Sequence, residues 1–267
     1  SVERYCTGRQ LILTHTHAGV DALRQRFLQR QVPGSRYHID TIAGWSWGWV
    51  RRYPANAGYT GSRHVAQWNA VYPAMVRLLG RDFVRQGVLN SYSGVIVEEY
   101  QDCTVPMHEL IVALGELLPC RILGDDLQGI FDFAPLVSWS DVQSAFRTDL
   151  GTLETPHRWI NAGNERLGYW LQGIRDCLRR GGEPQYRNSP VDRRRIHVSQ
   201  LSGTLVRLTH EKEGRICVIG PKARDLPSAL QTTLVRHKYR ILEPNDLKAL
   251  RELVENFQGA SGARRTK

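Results

Sequence analysis

Residues 95–131 read VIVEEYQDCTVPMHELIVALGELLPCRILGDDLQGIF, and this stretch decides the fold. It opens on the β-branched run Val95, Ile96 and Val97, which reads as a strand buried on both faces, and turns abruptly polar at Glu98, Glu99, Gln101 and Asp102. A second strand, residues 120–123, ends the same way in Gly124, Asp125 and Asp126, with Gln128 one turn further on. An apolar helix lies between them. Ligands bind outside the carboxyl ends of the strands in an open parallel sheet, so carboxylates at that edge are placed to hold a metal or take a proton. The plainer alternative for any such cluster is a helix cap in a solvated loop.

Composition frames this core. A chain of 267 residues with 41% hydrophobic content has room for one large core or two modest ones, and two domains are expected. The formal net charge of +10 argues for a polyanionic partner, because neutralised phosphates release counterions and that entropy drives binding. No apolar run approaches a membrane span and no secretory signal is present, so no membrane partner and a cytoplasmic, nucleoid-associated location are expected. The cysteines, Cys6, Cys103, Cys120, Cys177 and Cys217, are odd in number and lack CxxC spacing, which favours reduced thiols over bridges or a zinc site.

At this point the residues carry a resemblance. VEEYQD followed by GDDLQGIF resembles the Walker B motif and the next helicase motif of UvrD/Rep-type superfamily 1 DNA helicases, usually DE(F/Y)QD and GD..Q.I(F/Y). The two motifs, separated by one helix, are jointly far more specific than either alone. The resemblance implies an α/β fold with a RecA-like parallel sheet and flanking helices, ATP and Mg²⁺ as cofactors, and single-stranded DNA as partner. By position, Glu98 would hold Mg²⁺, Glu99 would orient and activate the attacking water, and Gln128 would sense the γ-phosphate, with Asp125 beside the nucleotide.

The preceding segments extend the resemblance. LILTHTHAGVDALRQR, residues 11–26, is similar to motif Ia, a strand leading into a helix whose threonines contact the phosphates of single-stranded DNA, which places Thr14 and Thr16 there. The helix should span about 18–30, with Val20, Leu23, Phe27 and Leu28 on one side. His15 and His17 stand at i, i+2, but no nearby acid or Cys completes a metal set, so they read as solvated loop residues. IDTIAGW resembles the next DNA-contacting motif, with Thr41 in the threonine position.

From 45 to 92 a helical insertion is expected, in which Trp45, Trp47, Trp49, Tyr53, Tyr59, Trp68 and Tyr72 alternate with arginines. Stacking is indifferent to base identity and cations follow a backbone, so this composition suits unpaired bases. Most of these aromatics should be core. Trp45, nearest the motif, is the DNA candidate.

Past the core stretch, LETPHRW at 153–159 is similar to the segment that opens the family's second RecA-like domain, and Arg158 takes the place of the arginine set against the γ-phosphate. Its permanent charge and planar fork suit that task. A helix over about 164–180 should end at Gly181 and Gly182. Strands at 196–198, 215–219 and 239–242, helices at 226–237 and 245–257, and a basic tail complete the expectation. The domains are thus 1–150, with the insertion at about 45–92, and a partial second RecA-like domain at 151–267.

Two departures qualify the motor. No GxxxxGK(S/T) occurs, and Gly220-Pro221-Lys222 lacks both the glycine loop and the hydroxyl that would meet Mg²⁺, so the β- and γ-phosphates have no cradle of N–H groups. The family's P-loop precedes motif Ia, so the chain is expected to be a fragment of a larger ATP-dependent helicase, inactive by itself, with a protein partner able to supply or complete the ATPase. In addition, Glu98 stands where the family usually has Asp, and its extra methylene strains the octahedral geometry of Mg²⁺. The alternative is a non-catalytic helicase-like subunit that binds nucleic acid or a partner and has lost the P-loop. The 3′-to-5′ polarity of the leading reading comes from the resemblance alone.

Overall fold

The computed structural model describes residues 8–62, 64–129, 135–186 and 189–191, with 200, 203, 204 and 207. The expected elements from 196 to 257, the basic tail, Cys6 and Cys217 lie outside the described residues. The chain divides into two compact units, Ser1–Gln185 and Tyr186–Lys267. All the elements below belong to the first.

Its centre is a four-stranded, wholly parallel sheet in the order β2-β1-β3-β4, formed by β1 (Gln10–Thr14), β2 (Tyr37–Thr41), β3 (Gly94–Val97) and β4 (Cys120–Ile122). The expected α/β architecture is therefore present. Leu11 pairs in register with Val95 and Leu13 with Val97, and both strands are buried almost throughout, as parallel strands covered on both faces must be.

Successive residues of a strand face opposite sides of the sheet, and here they build two separate cores. Ile12, Ile39 and Ile96 face α1 (His17–Gln29), meeting Val20, Leu23 and Phe27. Leu28, expected on the same apolar side, is 68% exposed. Leu11, Leu13, Val95 and Val97 face the larger core. That core is filled from α2 (Ile42–Val50), α4 (Trp68–Leu79), α5 (Asp82–Ser91) and α6 (Val105–Gly115), with the one-turn α3 (Pro54–Ala57) tied to α4 by Arg77 Nε donating to Ala57 O at 2.7 Å. Between β2 and β3 the chain is thus mostly helical, and much of that helix is core.

Beyond β4 come α7 (Trp139–Ala145), α8 (His157–Asn161) and α9 (Glu165–Arg179). Helix α9 stops at Gly181, whose φ of 69° is the left-handed conformation expected after a helix end. Among the described residues Cys103, Cys120 and Cys177 are free thiols. No helix among the described residues is long and apolar enough to cross a membrane.

Candidate functional site

From β1 the chain steps outward to β2, then crosses back over β1 to lay down β3 and β4. The order reverses between β1 and β3, and at such a switch point the helices on either side diverge and leave a crevice at the carboxyl ends of the two strands. Here it is an open cleft of about 240 Å³. Thr14, His15 and Thr16 line it from the end of β1, Glu98, Glu99 and Asp102 from the end of β3, and Arg26 from α1.

The acidic wall is built by a tight turn. Glu98 N–H donates to Leu13 O at 2.9 Å, extending the strand pairing by one step, and the chain then bends at Glu99. Glu99 has φ 56° and ψ 44°, a left-handed conformation that costs a non-glycine residue on the order of 1–3 kcal/mol. What holds it there lies on both sides. Tyr100 is fully buried, with its hydroxyl 2.8 Å from His108 Nδ1 and its N–H donating to Leu123 O at 3.0 Å. Gln101, 7% exposed, donates its side-chain amide to Glu99 Oε2 at 2.7 Å and accepts from Asp125 N–H at 2.9 Å. One buried amide thereby ties the loop after β3 to the loop after β4.

The second loop is packed against the first just as tightly. A side chain on Gly124 would place its Cβ 3.0 Å from Trp139, 3.1 Å from Tyr100 Cβ and 3.2 Å from Gln101 Oε1, so the close approach needs a residue without one.

No protein-family model matches the chain, and no curated protein matches it significantly.

Burial pushes the Glu98 carboxyl above the usual range, Arg26 pulls it back and Glu99 adds to the rise. Asp102 is raised by burial and then by Glu99. Asp102 Oδ1 is buried and has no hydrogen-bond partner among the described residues. An all-oxygen set of this kind fits a hard cation such as Mg²⁺, which takes one or two carboxylates and completes its shell with water and phosphate oxygens. Among the described residues no group of three His, Cys, Asp or Glu side chains is placed to hold a metal ion.

The sequence-derived residues fall into separate groups. Glu98, Glu99, Thr14 and Thr16 meet at the cleft. Thr14 is 3% exposed, while Thr16 is exposed and caps α1, its Oγ1 accepting from Gly19 N–H at 3.0 Å. Thr41 does not line the cleft. Its hydroxyl caps α2, accepting from Gly44 N–H at 2.8 Å, and the residue is 3% exposed.

Asp125 and Gln128 form a neighbouring cluster. The Asp125 carboxylate accepts from the Gln128 amide, from Leu127 N–H at 3.2 Å and from both terminal nitrogens of Arg175, the NH2 contact measuring 2.6 Å. Burial alone would raise that carboxyl, but the Arg175, Leu127 and Gln128 hydrogen bonds outweigh it and hold it below the usual range. Arg158 is exposed on α8 and lines neither group.

Two expectations are corrected. Trp45, the stacking candidate, is 3% exposed and belongs to the larger core, because the face of α2 that carries it packs inward with Ile42 and Val50. His15 is not a solvated loop residue: burial lowers it to about 4 against a smaller opposing pull from Glu99, and its Nε2 lies 3.6 Å from Cys103 Sγ. That contact is not a nucleophilic dyad, since burial pushes the Cys103 thiol far up and leaves it protonated. Sequence reasoning gave no role to Gln101 or Arg175. Gln101 stood within the quoted motif, and the i, i+4 pair Arg175 and Arg179 against adjacent Asp125 and Asp126 was the available signal for the other.

Proposed function

We propose that the chain is the motor core of an ATP-dependent DNA helicase or translocase acting on single-stranded DNA, with 3′-to-5′ polarity implied by the resemblance. The observation that carries this reading is the acidic wall of Glu98, Glu99 and Asp102 at the switch point of a parallel sheet, facing the N-terminus of α1 across one cleft. The sheet order is compatible with a RecA-like core, and the two helicase-like segments end neighbouring strands. Glu98, with Asp102 beside it, would hold Mg²⁺, which supplies charge neutralisation for phosphate oxygens when bound.

This chain's own groups would do the rest. Glu99 orients the attacking water and takes its proton, and Gln101 fixes the carboxylate that does so. Gln128, an uncharged amide, senses the γ-phosphate after leaving Asp125, and Arg158, exposed and free of ion pairs among the described residues, closes on it. Thr16 and the first N–H groups of α1 suit phosphate contact. A non-catalytic nucleic-acid-binding relative is the second reading, favoured by the longer Glu98 and by the lack of a glycine-lysine phosphate loop in these residues.

The test is DNA-stimulated phosphate release. The 267 residues alone should release none, and a form carrying a P-loop ahead of β1 should turn over and lose turnover with Glu99→Gln. Turnover that survives Glu99→Gln sinks the mechanism, and a P-loop form with no turnover leaves the non-catalytic reading standing.

A further inference from the structure

We propose that α2, the turn after it and α5 present a second single-stranded nucleic-acid contact, a stacking platform made of Trp49, Tyr53 and Phe83 and flanked by Arg51 and Arg52. It rests on the DNA-binding half of the reading above and is independent of hydrolysis.

The rings form a continuous ladder. Trp49 and Tyr53 lie 6.2 Å apart at a 31° tilt, and Phe83 meets Tyr53 edge-on at 5.1 Å. Unlike Trp45, the outer rings are open to solvent, Tyr53 at 37% and Phe83 at 48% exposure. Their base is fixed, since Trp49 packs so closely on α5 that a Cβ on Gly87 would sit 3.2 Å from its ring. Large apolar rings left in water beside a rigid base invite a flat partner.

Charge selects which partner. Residues 45–92 carry six arginines against one acid, Asp82, which is half of the formal +10 of the whole chain. Arg51 and Arg52, exposed and adjacent to Tyr53, make no ion pair or side-chain hydrogen bond among the described residues. An apolar protein partner has no use for two unpaired cations beside the rings. A strand of unpaired bases uses both, because its bases stack on rings and its phosphates follow the guanidinium groups. Stacking carries no sequence preference, so the platform binds any unpaired strand.

Fluorescence anisotropy of a labelled oligothymidine against the full chain tests this. The double variant Tyr53→Ala, Phe83→Ala should weaken binding by at least about 5-fold while melting as the unaltered chain does, and Tyr53→Phe, Phe83→Tyr should keep the affinity. Arg51→Gln, Arg52→Gln should lower the slope of log affinity against log salt by about 1.4, the share of two phosphate contacts on a single strand. Unchanged affinity in the alanine variant overturns the platform, as does absence of any oligothymidine binding at low salt. A dimer in sedimentation equilibrium that the alanine variant splits also overturns it, since the surface then joins two copies of the chain. None of these outcomes bears on phosphate release, which judges the cleft separately.

Discussion

Gln101 holds Glu99: the side-chain amide of one donates to the carboxylate of the other at 2.7 Å, from a position 7% exposed, while its carbonyl takes the Asp125 N–H at 2.9 Å. The carboxylate at the edge of the cleft is thereby locked to the loop after β4, and the left-handed Glu99 is held where unrestrained backbone would not stay.

Replacing Gln101 by leucine keeps the volume and removes both bonds. Asp125 N–H is then left without its partner beside buried groups, a loss of about 1–3 kcal/mol of stability. Amide exchange at Asp125 should quicken by the corresponding factor, and Gln101→Glu, which keeps the acceptor but sets a like charge against Glu99, should also lose stability as pH rises above the carboxylate range. Exchange at Asp125 that matches the unaltered chain would show that the bridge holds nothing.

How much of this was legible before the fold was known depends on what each feature needs. The strands at β1, β2, β3 and β4 announced themselves through short β-branched or apolar runs that break into polar residues, and the parallel order follows from the helices between them. That Thr14 ends one buried strand and Glu98 and Glu99 end another was legible too. That the threonines assigned to DNA and the acids assigned to the nucleotide line one cleft was not, because it depends on β1 and β3 being neighbours in the sheet. Nor was Trp45. Composition cannot say which side of α2 turns inward, and that is set by how α4 packs on it. Gln101 reaches 24 residues along the chain and Arg175 reaches 50, and no local periodicity encodes such contacts.

His15 gives the molecule an acid-sensitive element. Burial lowers its ring to about 4, so in the folded chain it stays neutral where the unfolded chain, at about 6.5, takes a proton. Stability from this group is complete above the unfolded value and falls as pH drops from about 6.5 to about 4, by up to roughly 3 kcal/mol. Glu98 and Asp102, whose carboxyls are raised, add an opposite slope near their own titration. The difference between the unaltered chain and His15→Gln isolates the histidine. Urea midpoints measured across this range should converge toward the variant's behaviour with acid, and parallel curves for the two proteins would place His15 in water.

The clamp of α9 on the loop after β4 yields the last test. Arg175 and Arg179 stand one helical turn apart, as Asp125 and Asp126 stand side by side, and each arginine takes one acid: Arg175 NH2 to Asp125 at 2.6 Å, Arg179 NH2 to Asp126 at 2.7 Å. The two bonds differ in shelter. Asp125 is 16% exposed at its side chain and bound through both arms of Arg175, whereas Asp126 at 30% and Arg179 at 35% lie in reach of water. Arg175→Ala should therefore cost about 1–2 kcal/mol at neutral pH, a hydrogen-bonded charge pair discounted for partial exposure, and Arg179→Ala less than about 1 kcal/mol. The Asp125 carboxyl lies below its unfolded range, so its contribution is present above that range and is lost as pH falls through the folded value. The stabilities of Arg175→Ala and the unaltered chain should accordingly converge in acid, and a double-mutant cycle with Asp125→Asn should recover most of the single-variant loss as coupling. If the cycle gives no coupling and Arg175→Ala melts unchanged at neutral pH, α9 does not hold the loop after β4.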